Sequence, residues 1–361
     1  MGPLSNTFKR AALLVFIATS ILSAGCIRVK QEKPTARLLK VENAKQADLI
    51  KEVDRFARVN SLRGKVYVTF EDNSFSSFGL KEAFHTANGE ITVQRPGKIW
   101  LKIQLPLINT DVAQMTSDGE KFRVAILQDD AGGKFKKFVL GSNNADYSKL
   151  QKTLDKVDSD ELPLKKTDKE TVSAFANLRP QHFTDAMLVR PTDNSKIYTQ
   201  SSTYEIEEDE TVEKKSPVRK VTRGYYFLDE YEKQEDGSLK ISRRFWFDRV
   251  GGIRLARQQI FDAQSEIESD IVYGKEGNLT DTGNYANLPL EIQVTRPKEK
   301  YSLKLTYQAP EAVSIGKTYP ETAFVLQNTW NLEEVDLDKK LREAANAPKT
   351  ELDKNVVKTF H

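Results

Sequence analysis

Hydrophobic positions along this chain change their spacing several times. Asn43, with Gln46 three residues on, has the form of a capping box. Leu49, Ile50, Val53, Phe56, Ala57 and Asn60 then recur at helical spacing, with Lys51, Glu52, Asp54, Arg55 and Arg58 on the other face. From Leu62 the period becomes two. Val66, Val68 and Phe70 alternate with Lys65, Tyr67 and Thr69, which marks a strand with one buried face. Similar runs over 83–94, 98–105, 111–117, 121–128 and 134–140 predict five more strands. Asn88-Gly89, Pro96-Gly97, Asp118-Gly119 and Gly132-Gly133 supply turn signals among them.

The alternation is lost over 142–190. Tyr147–Val157 and Lys169–Leu178 read as short helices around Pro163, and 181–190, between Pro180 and Pro191, as another against the sheet. Strand patterns return at 196–206, 218–232, 238–248, 252–261, 265–273, 289–296 and 301–308. From Asp336 the chain reads as a charged helix with a frayed end. The pattern therefore predicts a mainly β (α+β) fold. It is an incomplete, strongly curved antiparallel β-barrel behind an N-terminal amphipathic helix, with a short helical insert and an apolar interior.

The extreme N-terminus is of another kind. Lys9 and Arg10 precede a 12-residue uncharged run, Ala11 to Leu22, too short to span a bilayer but suited to an export signal. It ends in Leu22-Ser23-Ala24-Gly25-Cys26, which resembles the bacterial lipobox. Small residues let an extended segment enter a peptidase groove, and the thiol takes the diacylglycerol. An uncleaved signal anchor with a buried Cys is the alternative, yet the only Cys of the chain stands where the motif needs it. Residues 1–25 are thus expected to be a lipoprotein signal peptide, Cys26 the acylated terminus, and 26–42 a polar tether. Ile27, rather than Asp, favours the outer membrane under the enterobacterial sorting rule. The expected location is the cell envelope, lipid-anchored on the periplasmic face of the outer membrane.

Composition narrows the chemistry. Lys plus Arg number 55 and Asp plus Glu 52, a net charge of +3, so nothing draws polyanions in bulk, and nucleic acid is not expected as a partner. One Cys excludes an intrachain disulfide scaffold, and three His leave little for a zinc centre, so no cofactor or metal is expected. An enzyme would have to run on carboxylates, Ser, Tyr or Lys.

Gly316-Lys317-Thr318 ends like a phosphate-binding loop, but Glu311 occupies the required earlier Gly position and Pro320 blocks the helix. Glu205–Glu213 holds six acids in nine residues without a shaping Gly, and reads as a solvated hairpin end before Lys214 and Lys215. Arg243, Arg244, Phe245, Trp246, Phe247 and Arg249 interleave bases with aromatics, which strand alternation explains better than single-stranded nucleic acid. His85 and His182 each stand alone as packing or surface residues.

A helix, meandering strands, a helical insert and more strands, in that order behind a lipobox, resemble the LolA/LolB group of lipoprotein-sorting proteins. The likeness is closest to the LolB branch, the outer-membrane lipoprotein receptors. Leu105-Pro106-Leu107-Ile108-Asn109-Thr110 lies between the third and fourth strands, where that branch has a protruding loop with an exposed Leu after a Pro. The runs 290–294 and 303–307 resemble the family's closing hairpin. The resemblance covers 62–128 and 285–308, leaves 142–223 unexplained, and belongs to a chain longer than typical members. It implies a half-barrel domain over 43–335, with the insert at about 142–190 as a lid over a greasy cavity, and a charged tail at 336–361. It also implies acyl chains or client lipoproteins as partners, a periplasmic carrier among them, with Leu107 and Ile108 entering a membrane.

Two function classes follow. In the first, a non-enzymatic lipid-binding module takes acyl chains on the apolar faces of its strands and serves lipoprotein localisation. Its lining would be Val66, Val68, Phe70, Ile91, Val93, Leu101, Ile103, Leu105, Phe122, Val124 and Ile126. In the second, the same residues are a filled core and the chain is a structural envelope lipoprotein that binds a protein partner.

Overall fold

The computed structural model describes residues 36–70, 86–104, 110–128, 136–145, 147, 180–209, 211–280, 285–298 and 301–346. They fall into a small unit, drawn from the stretches up to Leu38 and Ile206–Thr222, and a large unit holding the rest.

In the large unit the first element is helix α1 (Gln46–Ala57), which buries Leu49, Val53 and Phe56 as its spacing predicts. Its start differs from expectation. The Lys45 amide donates to Asp48 Oδ2 (3.1 Å), so Asp48 closes the first turn. Asn43 is instead taken by Arg249 Nη2 (2.9 Å) and the Tyr226 hydroxyl (3.2 Å), both of which donate to its Oδ1.

The strands β2 (Ser61–Phe70), β3 (Thr86–Gln94), β4 (Lys98–Gln104), β5 (Asp111–Asp118), β6 (Lys121–Ile126) and β7 (Lys137–Ser142) form one antiparallel meander. Helix α2 (Gln181–Met187) and strand β8 (Ile197–Glu208) follow. A second meander comprises β9 (Lys220–Lys233), β10 (Leu239–Asp248), β11 (Arg254–Phe261), β12 (Ile267–Gly277), β13 (Leu288–Arg296) and β14 (Tyr301–Tyr307). β14 pairs antiparallel with β2, Leu305 beside Val68, and this one ladder joins the meanders into a single curled sheet. The sheet stays open. β8 lies on β9 at one end, and at the other β16 (Glu333–Asp336) lies parallel to β7.

Three features were not foreseen. Asn88-Gly89, a turn signal by composition, lies inside β3. A Cβ on Gly89 would stand 3.0 Å from the Cγ2 atoms of Val66 and Val68, so the crowding of these two side chains explains the glycine. The chain after β14 adds β15 (Ser314–Ile315) to β2 and then makes a 3-10 turn over Glu321–Phe324 beside β4 and β5. There the Leu326 amide donates to Thr116 Oγ1 (3.0 Å). The C-terminal helix α3 (Leu337–Asn346) stands where the sequence predicts a charged helix, but its start is tied to the sheet. Leu337 is fully buried, and Asp338 accepts from Ser142 Oγ (2.6 Å) and the Tyr147 hydroxyl.

In the small unit β1 (Arg37–Leu38) runs parallel to the start of β9, with Leu38 beside Thr222. The Asp209 amide donates to the Arg219 carbonyl (2.8 Å) and closes the hairpin between β8 and β9. The acidic run of the sequence lies at this hairpin end, where Arg219 Nε donates to Glu208 (2.8 Å).

Candidate functional site

Alternation sends one side chain in two to the concave face, and the ladders align these across strands. One row runs Ile91, Leu101, Met115, Val124 and Val139 from β3 to β7. Another runs Leu228, Phe245, Gln258, Ile271, Val294 and Leu303 from β9 to β14, ending beside Phe70 on β2. Of the residues the sequence nominated, Val66, Val68, Ile91, Val93, Leu101, Phe122, Val124 and Ile126 are buried in this one apolar cluster. Ile103 is half-buried against it. Phe70 closes β2, and Leu105, Leu107, Ile108 and Cys26 lie outside the described residues.

The cover comes from α1 and α2. Phe183, Ala186 and Met187 of α2 and the following Leu188 and Val189 are buried in the same cluster as Leu49, Val53 and Phe56 of α1. Between the helices and the strands a void of about 20 Å³ is lined by Phe56, Val59, Leu62, Met187, Tyr273 and Tyr307, among others. That space is of the order of one water molecule, not of an acyl chain.

Polar groups clamp the segment after α2. The Tyr273 hydroxyl donates to the Ala186 carbonyl (3.1 Å) and Arg95 Nη2 to that of Val189 (2.6 Å). Arg243 reaches the carbonyls of Arg190 through Nη1 and of Pro191 through Nη2, both at 2.9 Å. Thr192 donates from its amide (3.1 Å) and hydroxyl (2.9 Å) to Asp54 of α1, so the clamp spans both helices.

Arg243 and Glu230, directly opposed on β10 and β9, are 5 and 4% exposed. Arg243 donates from Nε to Glu230 Oε1 (2.9 Å) and from Nη2 to Oε2. The Tyr198 hydroxyl and Ser242 Oγ complete the carboxylate's shell, each at 2.7 Å. Burial alone would raise the Glu230 carboxyl, but the bonds and charge of Arg243, with those hydroxyls, hold it below its ordinary value. Burial, with the bond to Glu230, pushes Tyr198 up to about 12.

The opposite face of β9 to β11 carries Arg244 and Trp246 of the run 243–249. Trp246 stands edge-on to Phe227 with ring centres 4.4 Å apart, and Arg257 lies over its ring at 4.8 Å. Arg244 covers Phe227 at 4.8 Å while donating to both oxygens of Asp229 (2.6 and 2.9 Å). Guanidinium groups so paired are a cross-strand ladder of the sheet. The inward Arg243 was legible, because it shares the period-two face of Phe245 and Phe247. Its partners on 190–191 were not, since no local pattern links segments about fifty residues apart.

No protein-family model and no curated protein matches the sequence. Among solved structures, a LolA superfamily protein from Nitrosomonas europaea overlays with a TM-score of 0.38 at 8% identity, covering 79% of this chain and 99% of its own. A DUF1329 family protein from Desulfovibrio piger gives 0.36 at 9% identity, covering 78 and 95%. An outer-membrane lipoprotein-sorting protein domain from Vibrio parahaemolyticus gives 0.36 at 7%, covering 78 and 97%.

Proposed function

We propose that the chain is a non-enzymatic, lipid-anchored protein of the bacterial envelope that receives acyl chains on its concave face. Those chains belong to lipids or to client lipoproteins on their way to the outer membrane, delivered by a periplasmic carrier. The observation that carries the reading is an apolar face continuous across both meanders and covered by two short helices. Since the void that the described residues leave beneath them is the size of a water molecule, an acyl chain enters by displacing α2. Withdrawing Phe183, Met187, Leu188 and Val189 from the cluster costs about 8 kcal/mol, at roughly 2 kcal/mol for each buried side chain. A sixteen-carbon chain recovers on the order of 11 kcal/mol, at about 0.8 kcal/mol per methylene. The exchange is close to balanced, as a reversible carrier requires. The lipobox at Cys26 supplies the anchor, and Ile27 directs it to the outer membrane.

A structural scaffold is the second reading, and the close packing of Val66, Ile91 and Phe122 favours it. Incubating the delipidated full chain with a fluorescent fatty acid separates the two. Saturable uptake, reduced when a disulfide staples α2 to the sheet, supports the carrier; no uptake at any concentration leaves the scaffold. Metabolic labelling with palmitate tests the anchor: Cys26→Ala loses the label, and equal labelling of both forms refutes acylation.

A further inference from the structure

The small unit has no part in that mechanism, yet it is where apolar exposure concentrates. Among the large apolar side chains of the described residues the three most exposed are Ile206, Leu38 and Val218, at 70, 67 and 53%. All three belong to this unit. Leu38 lies beside Thr222 in the β1–β9 ladder. Counting back from the bond between Asp209 and Arg219 sets Ile206 across from the same Thr222, so Ile206, Thr222 and Leu38 share one face. Scattered exposed apolar residues are ordinary, but three gathered on one hairpin end call for a partner.

The tether indicates which one. Arg37 is eleven residues on from Cys26, a reach of at most about 40 Å. An acylated Cys26 therefore keeps this hairpin end within about 40 Å of the bilayer, where the membrane is the partner at highest effective concentration. After Cys26 the unit holds eight bases (28, 30, 33, 37, 214, 215, 219 and 220) and six acids (32, 207 to 210 and 213), a net charge of +2 that does not oppose approach to a lipid surface. Lys214, Lys215 and Lys220 suit an interface, where their stems lie along apolar surface while the ammonium groups stay wet.

We propose that this hairpin end docks on the lipid surface that holds the anchor, with Ile206, Leu38 and Val218 entering the interface. The inference rests on acylation of Cys26. Anchor and hairpin then make two points of attachment, which a stable and oriented membrane association needs.

Because the chain has one Cys, acylation leaves no free thiol, and Ile206→Cys introduces a single one. The acylated full-length variant is labelled with an environment-sensitive thiol fluorophore and reconstituted into phosphatidylcholine vesicles. Leu239→Cys, at a residue 48% exposed, serves as the comparison site, and Val218→Cys as a second site on the hairpin. Brominated phosphatidylcholine should quench the labels at 206 and 218 about threefold or more beyond that at 239, and iodide should quench them less. Phosphatidylcholine carries no net charge, so the result should be the same at low and high salt. Equal quenching by brominated lipid at 206 and 239 overturns the proposal. So does protection from iodide without quenching by brominated lipid, which would mean that a second copy covers the hairpin. Uptake of the fluorophore by the wild-type protein would expose a free Cys26 and sink the anchor together with the proposal, whereas the other two failures leave the anchor intact.

Discussion

Replacing Arg243 by Met keeps the stem of the side chain and removes its charge. Glu230, 4% exposed, then stays in the sheet with hydroxyl partners alone. Breaking a buried pair by removing one partner costs about 3–5 kcal/mol, because the remaining charge is stranded. Two carbonyl contacts to 190–191 are lost as well, so the upper end of that range is expected. Urea unfolding reads the loss as a lower midpoint at unchanged slope.

The pH dependence makes the reasoning refutable. In the wild type Glu230 titrates below its ordinary value. Its stabilisation is therefore present above the unfolded carboxylate pKa and is lost as pH falls through the folded one. In Arg243→Met the same carboxyl is buried without a cation and titrates above the unfolded value. Its penalty is full at neutral pH and fades on acidification. The stability gap between the two proteins should thus be widest near pH 7 and narrow below about pH 5. Adding Glu230→Gln should restore about half the loss. Amide exchange at 188–192 should quicken in the single variant. A loss under about 1 kcal/mol with no pH dependence would show that the pair neither stabilises the sheet nor holds the clamp.

Leu101→Trp enlarges a side chain 2% exposed between Ile91 and Met115. It should cost about 1–3 kcal/mol by overpacking, seen as a lower melting temperature; an unchanged melt with reduced fatty-acid uptake would mean that open space lies there. Gln258 is 1% exposed in an apolar row, and among the described residues its Oε1 has no hydrogen-bond partner. Gln258→Leu should raise stability by about 1 kcal/mol or more by relieving that desolvation, and a lower melting temperature would reveal a partner. Leu107→Glu should slow transfer of a labelled lipoprotein to liposomes while changing stability by less than about 0.5 kcal/mol. Unaltered transfer would make Leu107 an ordinary surface residue, and a lost fold would place it in the core.

Alternation is a property of neighbours along the chain, so it survives in the sequence. The period-two runs from Leu62 to Gln308 mark the long strands to within a few residues, and the helical spacing of Leu49, Val53 and Phe56 marks α1. The direction of Val66, Ile91, Leu101 and Val124 toward one face follows from the same count, as does the inward turn of Arg243. The resemblance of 22–26 to a lipobox is equally local, because a peptidase reads an extended segment. Pairing is not local. Nothing near Val68 announces Leu305, and nothing near Lys137 announces Glu333 as its neighbour in a parallel pair. The strands β15 and β16 have two and four residues, too few to show a period. Asn88-Gly89 has the composition of a turn and becomes strand because it pairs with Tyr67 and Val66 on one side and with Gln104 and Ile103 on the other. Whether the concave face is a filled core or an acyl site depends on volumes contributed by α1, α2 and both meanders together, and a volume shared by distant segments leaves no mark on any one of them.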